Sequence, residues 1–211
     1  MKIKHTSIVL VRHGETGHNK NRIVQGQGDV ALGEKGLEQA DELGPYLKKI
    51  DFDRAFVSPL LRARQTFERF GLPVDPRFDD RLMEQHYGDW EDMPFDKLWD
   101  ADRELMIKFI TDPYGFEVPG GETLVQMEER VNSFCDECLP DFDEESKTLV
   151  VAHGGSLQLI ICRLIGLPVS KHFFGLDVAN CSVSVVLRAP GRSILQCLNW
   201  RAKGFGRFID K

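Results

Sequence analysis

Ser7-Ile8-Val9-Leu10-Val11-Arg12-His13-Gly14-Glu15-Thr16 decides the fold. The apolar run from Ile8 to Val11 is rich in β-branched residues and stops at Arg-His-Gly, the pattern of a buried strand emptying into a turn. In an open α/β sheet, ligands bind outside the carboxyl ends of the strands. Arg12 and His13 put a fixed positive fork and a titratable nucleophile at such an end. Gly14 is expected to let the backbone turn sharply and approach a ligand.

A second run, Thr148-Leu149-Val150-Val151-Ala152-His153-Gly154-Gly155, has the same form and also ends in His-Gly. It feeds a helical pattern from Ser156 to Ile165, with Ser156 as the expected cap. A histidine just ahead of a helix N-terminus sits beside free N–H groups, which favour anions. Two histidines at two strand ends, one of them beside an arginine, suit a phosphoryl group. The nearest ring nitrogens should then lie within roughly 8 Å, about two hydrogen bonds across a phosphate.

The alternation of strands and helices over 211 residues predicts one α/β domain, a three-layer sandwich. Its central sheet should be mostly parallel, with helices on both faces. The net charge of −6 argues against a nucleic-acid or anionic-membrane surface, so an anionic substrate needs a local basic pocket. No apolar run has the length of a membrane span, and the first residues lack the apolar segment of a signal peptide. Five cysteines, an odd number without a disulfide pattern, read as a reduced cytoplasmic protein. Cys135 and Cys138 form a C-x-x-C inside an apparent helix, without the second pair that a zinc site needs.

Gly17 to Gly33 reads as a polar loop over the site, and Gly36 to Ile50 as an amphipathic helix that Pro45 should kink or divide. Arg54 to Val57 is a short strand. Ser58 and Pro59 then read as the cap and first turn of a helix that carries Arg62 towards the strand end. Arg64, two residues on, is the solvated control. Residues 85 to 120, aromatic and acidic, form a cap-like insertion whose rings either pack on the domain or line a cleft. Glu122 to Leu139 is a helix, the acidic stretch Asp141 to Glu145 a solvated loop, and Cys181 to Leu187 pairs with Ser193 to Asn199 through Ala189-Pro190-Gly191. The basic tail from Arg201 to Lys211 carries no readable role.

Arg12-His13-Gly14-Glu15-Thr16, Arg62 after Ser58-Pro59, Glu84 in Leu82-Met83-Glu84-Gln85-His86-Tyr87-Gly88-Asp89-Trp90-Glu91, and His153-Gly154 occur in that order. Together they resemble the histidine phosphatase superfamily, in its phosphoglycerate mutase-like branch. The resemblance runs along nearly the whole chain. It implies that His13 attacks phosphorus to give a phosphohistidine, with Arg12, Arg62 and His153 holding the phosphoryl group. It also implies that Asn19 binds phosphate and that Gln25-Gly26 touch substrate. The backbone N–H of Gly154 would complete the cradle.

The residue chemistry agrees. A phosphoryl group in flight spreads negative charge, so catalysis is mostly positioning and electrostatic stabilisation. Arginines offer paired donors and keep their charge at any working pH. His13 must attack through a neutral nitrogen, so its other nitrogen should donate to a backbone carbonyl. Glu84 is the expected general acid, with His86 its rival. No metal and no cofactor are needed, because arginines and histidine supply the positive charge.

Three activities are compatible: a phosphatase of small organic phosphates, a cofactor-dependent phosphoglycerate mutase, and a binding protein that keeps the pocket. Mutases of this family carry Leu-Asn-Lys and Glu-Arg-Tyr-Pro segments that grip a second phosphate. Here Gly88 to Phe95 and Thr111 to Phe116 stand in that region, which favours the phosphatase. The expected partner is a small phosphorylated metabolite, with a homodimer left open.

Overall fold

The computed structural model describes residues 5–139 and 145–202. Strand β1 (Thr6–Arg12) leads through α1 (Gly17–Asn21) and α2 (Glu34–Leu47) to β2 (Arg54–Val57). Helix α3 (Leu61–Phe70) carries the chain to β3 (Pro76–Phe78). Two short helices follow, α4 (Phe95–Ala101) and α5 (Arg103–Thr111), and then the long α6 (Leu124–Cys138). Strand β4 (Lys147–Ala152), α7 (Gly154–Ile165), α8 (Val169–His172), β5 (Val183–Ala189) and β6 (Arg192–Trp200) complete the described chain.

The six strands form one sheet in the order β3-β2-β4-β1-β5-β6. The β2–β3, β2–β4 and β1–β4 pairs are parallel, while β1–β5 and β5–β6 are antiparallel. This is the mostly parallel α/β sheet expected from the sequence. Side chains alternate across it as the strand period of two requires. Ile8, Leu10, Val150 and Ala152 face a core shared with α6 and α7. Val9, Val11, Leu149 and Val151 face a second core shared with α2 and α3. Because both faces are covered, β1 and β4 read as continuous apolar runs. Each fully buried Leu or Ile in them contributes roughly 1.5–3 kcal/mol.

Crossovers therefore leave β1 and β4 on opposite faces of the sheet. Such a divergence opens a crevice at the carboxyl ends of those two strands.

Several local expectations are corrected. Gly17 to Asn21 is helical, because Thr16 and Asn19 cap each other's backbone N–H groups. Pro45 does not divide α2, which runs on to Leu47. The proline lies on the exposed side, while Leu43, Gly44 and Leu47 are buried. Helix α3 starts at Leu61, so Ser58 is not its cap. Helix α7 starts at Gly154 with His153 as N-cap, and Ser156 reaches back to accept from His153 N at 3.1 Å.

Gly14 owes its place to packing more than to turning. A Cβ there would stand 2.5 Å from Gly36 O, so the missing side chain lets α2 close on the strand end. The segment after Glu84 is more ordered than its composition suggests. Trp90, Leu98, Met106, Phe109, Phe116 and Val118 build a third apolar cluster, separate from the two beside the sheet. Asp141 to Glu144, most of the expected acidic loop, and the tail beyond Ala202 lie outside the described residues.

Candidate active site

Strand register brings the two histidines together. Arg12 pairs with Ala152 across β1 and β4, so the next residues, His13 and His153, leave the sheet side by side. Their ring centroids are 5.1 Å apart. On the far side of β4, Val57 pairs with Val151, which sets Ser58 against His153. Ser58 Oγ lies 2.7 Å from His153 Nε2.

The first turn of α3 points Arg62 into the same place. Arg62 is 1% exposed, whereas Arg64 is exposed, so the two arginines have different jobs. Its Nε donates to His153 Nδ1 at 3.2 Å, and its terminal nitrogens donate to Gly28 O and Gly26 O at 2.8 and 2.7 Å. Because arginine only donates, His153 Nδ1 must carry a lone pair, and its Nε2–H then points at Ser58. An arginine has five N–H donors, and these three contacts leave two for an anion.

His13 is 2% exposed, with Nδ1 2.7 Å from Gly14 O. A carbonyl accepts only, so Nδ1 carries the proton and Nε2 keeps a lone pair. Arg12 donates to Val178 O at 2.6 Å through one terminal nitrogen. Its Nε is buried with no hydrogen-bond partner among the described residues.

Glu84 reaches the site from the loop between β3 and α6. One carboxylate oxygen accepts from Gly155 N at 3.1 Å, in the first turn of α7, and the other from Gln85 N at 3.0 Å. A helix N-terminus favours that negative charge. Gly155 permits the approach, since a Cβ there would stand 2.4 Å from Glu84 Oε1. Arg130 of α6 clamps the loop behind it, donating to the carbonyls of Arg81, Met83 and Glu84 at 2.7–3.0 Å. Glu122 holds that guanidinium in a two-point pair at 2.6 and 2.8 Å.

Arg12, His13, Arg62 and Glu84 open onto one cavity of about 410 Å³, together with Asn19, Gln25 and Gly26. Asn19 Oδ1 accepts from Thr16 and Asn180, and Gln25 Oε1 accepts from Thr16 Oγ1 at 2.7 Å. His153 and Gly154 are not part of the cavity wall. His153 has no exposed surface and stands behind Arg62, while the Cα side of Gly154 faces the Arg12 guanidinium. His86 also lies off the cavity, 3.9 Å from Glu91. Among the described residues, no group of three His, Cys, Asp or Glu side chains could hold a metal ion. No described helix is long and apolar enough to cross a membrane.

Residues 8–201 match the model of the histidine phosphatase superfamily, branch 1. The chain belongs to this family. Within it, the chain is 35% identical over 184 residues to a probable phosphoglycerate mutase GpmB of Erwinia tasmaniensis, covering 85% of this chain and 83% of that one. The α-ribazole phosphatase of Shigella flexneri superposes with a TM-score of 0.84 at 29% identity, over 94% of this chain and 98% of that one. A mycobacterial glucosyl-3-phosphoglycerate phosphatase in complex with VO3 gives 0.79 at 26% identity, over 92% and 98%.

In this member of the histidine phosphatase superfamily, burial does most to push the pKa of both His13 and His153 well below the ordinary 6.5, and Arg62 adds to it. Both rings are therefore neutral at neutral pH. Arg62 is lowered to about 10, mainly by burial, and remains charged. Neutral buried histidines make stability pH-dependent. Below about pH 6.5 the unfolded chain binds protons that the native rings refuse, so the native state weakens as pH falls. Above that value neither state is protonated and this contribution is flat. Urea midpoints measured between pH 7.5 and 5 should fall, with each ring supplying up to about 1.4 kcal/mol per pH unit. His153→Asn should reduce the slope, and an unchanged slope would show that this ring is not the source.

The sequence reading passed over Arg130, Glu122 and Ser58 as site-building residues. Glu122 and Arg130 are eight apart, one just before α6 and one within it, and nothing in that spacing separates them from a surface pair. Ser58 was assignable from sequence only as a helix cap.

Proposed function

We propose that the protein hydrolyses small phosphomonoesters through a phosphohistidine on His13. The observation that carries this reading is the unprotonated Nε2 of His13 in one cavity with Arg12, Arg62 and Glu84. In the first step His13 Nε2 forms a bond to phosphorus as the ester P–O bond breaks. Glu84 gives its proton to the leaving oxygen, and the two guanidinium groups balance the charge spread over the phosphoryl oxygens. In the second step water attacks phosphorus, Glu84 takes the water's proton, and the P–N bond breaks to release phosphate. The buried, unpartnered Arg12 Nε supports an anion at this place.

Asn19, Gln25 and Gly26 border the phosphate on the α1 side, and residues 85–120 cover the site as a cap. His153 supports the phosphate site through Arg62. It accepts from the guanidinium and fixes the face that Arg62 turns to the cavity.

The mutase reading has the probable phosphoglycerate mutase relatives in its favour. It requires transfer from the phosphohistidine to a second phosphoglycerate position in place of transfer to water. Assays with p-nitrophenyl phosphate, and with 3-phosphoglycerate plus 2,3-bisphosphoglycerate, separate the two. We expect p-nitrophenyl phosphate hydrolysis at mildly acidic to neutral pH, undiminished by EDTA. Activity lost in EDTA and restored by a divalent metal would overturn the metal-independent mechanism, and 3-phosphoglycerate isomerisation faster than hydrolysis would favour the mutase.

A further inference from the structure

The cavity has two unlike poles. Arg12, His13 and Arg62 form the inner one, while Trp90, Phe95, Leu98, Met106, Phe109 and Phe174 wall the outer one. The outer pole is a built surface. Trp90 and Phe109 meet edge to face at 5.3 Å, and Phe109 meets Phe174 the same way at 5.7 Å. Trp90 and Phe109 are nearly buried in the third apolar cluster, yet Phe174 keeps 50% of its surface exposed. Burial in the protein does not explain an aromatic ring left open at a cavity wall.

Carboxylates stand beside the polar groups at that pole. His18 Nε2 lies 2.8 Å from Asp92 Oδ1, and Arg22 lies 3.5 Å from Asp96 and over the Phe95 ring at 5.7 Å. A second anionic group on a substrate would come close to the carboxylates of Asp92 and Asp96. Tyr87 also lines the cavity, and burial together with the charge of Glu84 pushes its pKa up, so it offers a neutral hydroxyl. The volume of about 410 Å³ has room for a phosphate and a ring beside it.

Resting on the phosphatase reading above, we infer that the enzyme selects phosphomonoesters whose leaving group is uncharged, apolar and of the size of one ring. The phosphate docks at the arginines, and the ring lies between Trp90, Leu98 and Phe174. Glycerate phosphates and bisphosphates, which carry a second anion, are the poor substrates.

Benzyl phosphate, glycerol 3-phosphate and 3-phosphoglycerate test this, because all three leave as alcohols of similar acidity. kcat/KM for benzyl phosphate should exceed that for glycerol 3-phosphate by about 10- to 100-fold, the worth of burying one ring-sized apolar group. 3-Phosphoglycerate should be the slowest. Phe174→Ala should shrink the benzyl-to-glycerol ratio, and circular dichroism checks that the variant, altered at a half-exposed position, is folded. Calorimetry with two compounds that cannot be hydrolysed, benzylphosphonate and 3-phosphonopropionate, reads the same preference without turnover, with benzylphosphonate binding tighter. Hydrolysis of all three esters without the benzyl preference, or with 3-phosphoglycerate preferred, overturns this inference and leaves the phosphatase reading standing. Absence of hydrolysis with benzylphosphonate still the tighter ligand overturns the phosphatase reading and leaves the pocket's preference standing.

Discussion

His13→Ala should abolish both phosphoenzyme formation and turnover. His13 presents its Nε2 to the cavity beside Arg12 and Arg62, whereas His18, which also lines the cavity, is turned to Asp92 through its Nε2. The Nδ1 of His13 is committed to Gly14 O, which leaves Nε2 as the attacking atom. His153 cannot replace it, because its Nδ1 accepts from Arg62, its Nε2 is bonded to Ser58, and the ring has no exposed surface. Removing a nucleophile that no neighbour replaces costs on the order of 10⁶-fold in a serine protease, and a loss of that scale is expected here. Rapid acid quench with a ³²P-labelled ester gives the direct readout. The wild type should show label on protein that is stable to alkali and labile to acid, His13→Ala should show none, and His153→Asn should keep it at a lower rate. Label retained in His13→Ala would move the nucleophile elsewhere.

The same acid range tests how the nucleophile is kept ready. With His13 held neutral by burial and by Arg62 and Arg12, protonation does not remove its lone pair until well below pH 6.5. A mildly acidic medium that weakens the native state through its buried histidines therefore still leaves the nucleophile unprotonated. Stability and nucleophilicity draw on one physical fact, the cost of a charge in a dry site beside two guanidinium groups.

The sheet was legible because its strands are buried on both faces. Ile8 to Val11 and Leu149 to Ala152 have no polar face, and that is the signature of central strands in a covered sheet. The convergence of His13 and His153 was legible for the same reason, since each follows its strand directly. Helix starts were less legible. Ser58, Pro59 and Ser156 carry the local chemistry of caps, but a tertiary partner claimed Ser58, and Ser156 caps α7 from its third position and not from the N-cap. Ser58 bonds the His153 ring, and Ser156 bonds the His153 backbone from within the helix. Capping propensity is worth about 1 kcal/mol and is easily outweighed by a buried polar network. The placing of His153 behind Arg62, off the cavity wall, was not legible at all. It depends on where a side chain six atoms long folds back, and no spacing rule reports that. Aromatic residues between positions 85 and 120 were expected either to pack on the domain or to line a cleft. Trp90 and Phe109 do both, as members of a separate apolar cluster that also walls the cavity.

Glu84→Gln should slow the enzyme by an amount set by the leaving group. The substitution keeps the shape and the amide oxygen that accepts from Gly155 N, but it removes the transferable proton. Help from a general acid is typically worth about 10²–10⁴-fold, and less where the leaving group departs easily as an anion. With phosphoryl transfer to His13 limiting, the loss should be large for an alkyl phosphate and small for p-nitrophenyl phosphate. Formation of the labelled phosphoenzyme from the nitrophenyl ester should accordingly survive in Glu84→Gln, which separates the acid from the nucleophile by timing. Arg130 extends the argument. It holds the carbonyls on either side of the Glu84 backbone turn, so Arg130→Met should loosen the acid and reproduce a weaker form of the same leaving-group dependence. His86→Gln is the control, because that ring lies off the cavity wall with its side chain 45% exposed. It should show no dependence on the leaving group. If His86→Gln shows the dependence and Glu84→Gln does not, the proton comes from His86, and the carboxylate seated on the N-terminus of α7 serves only to complete the site's charge.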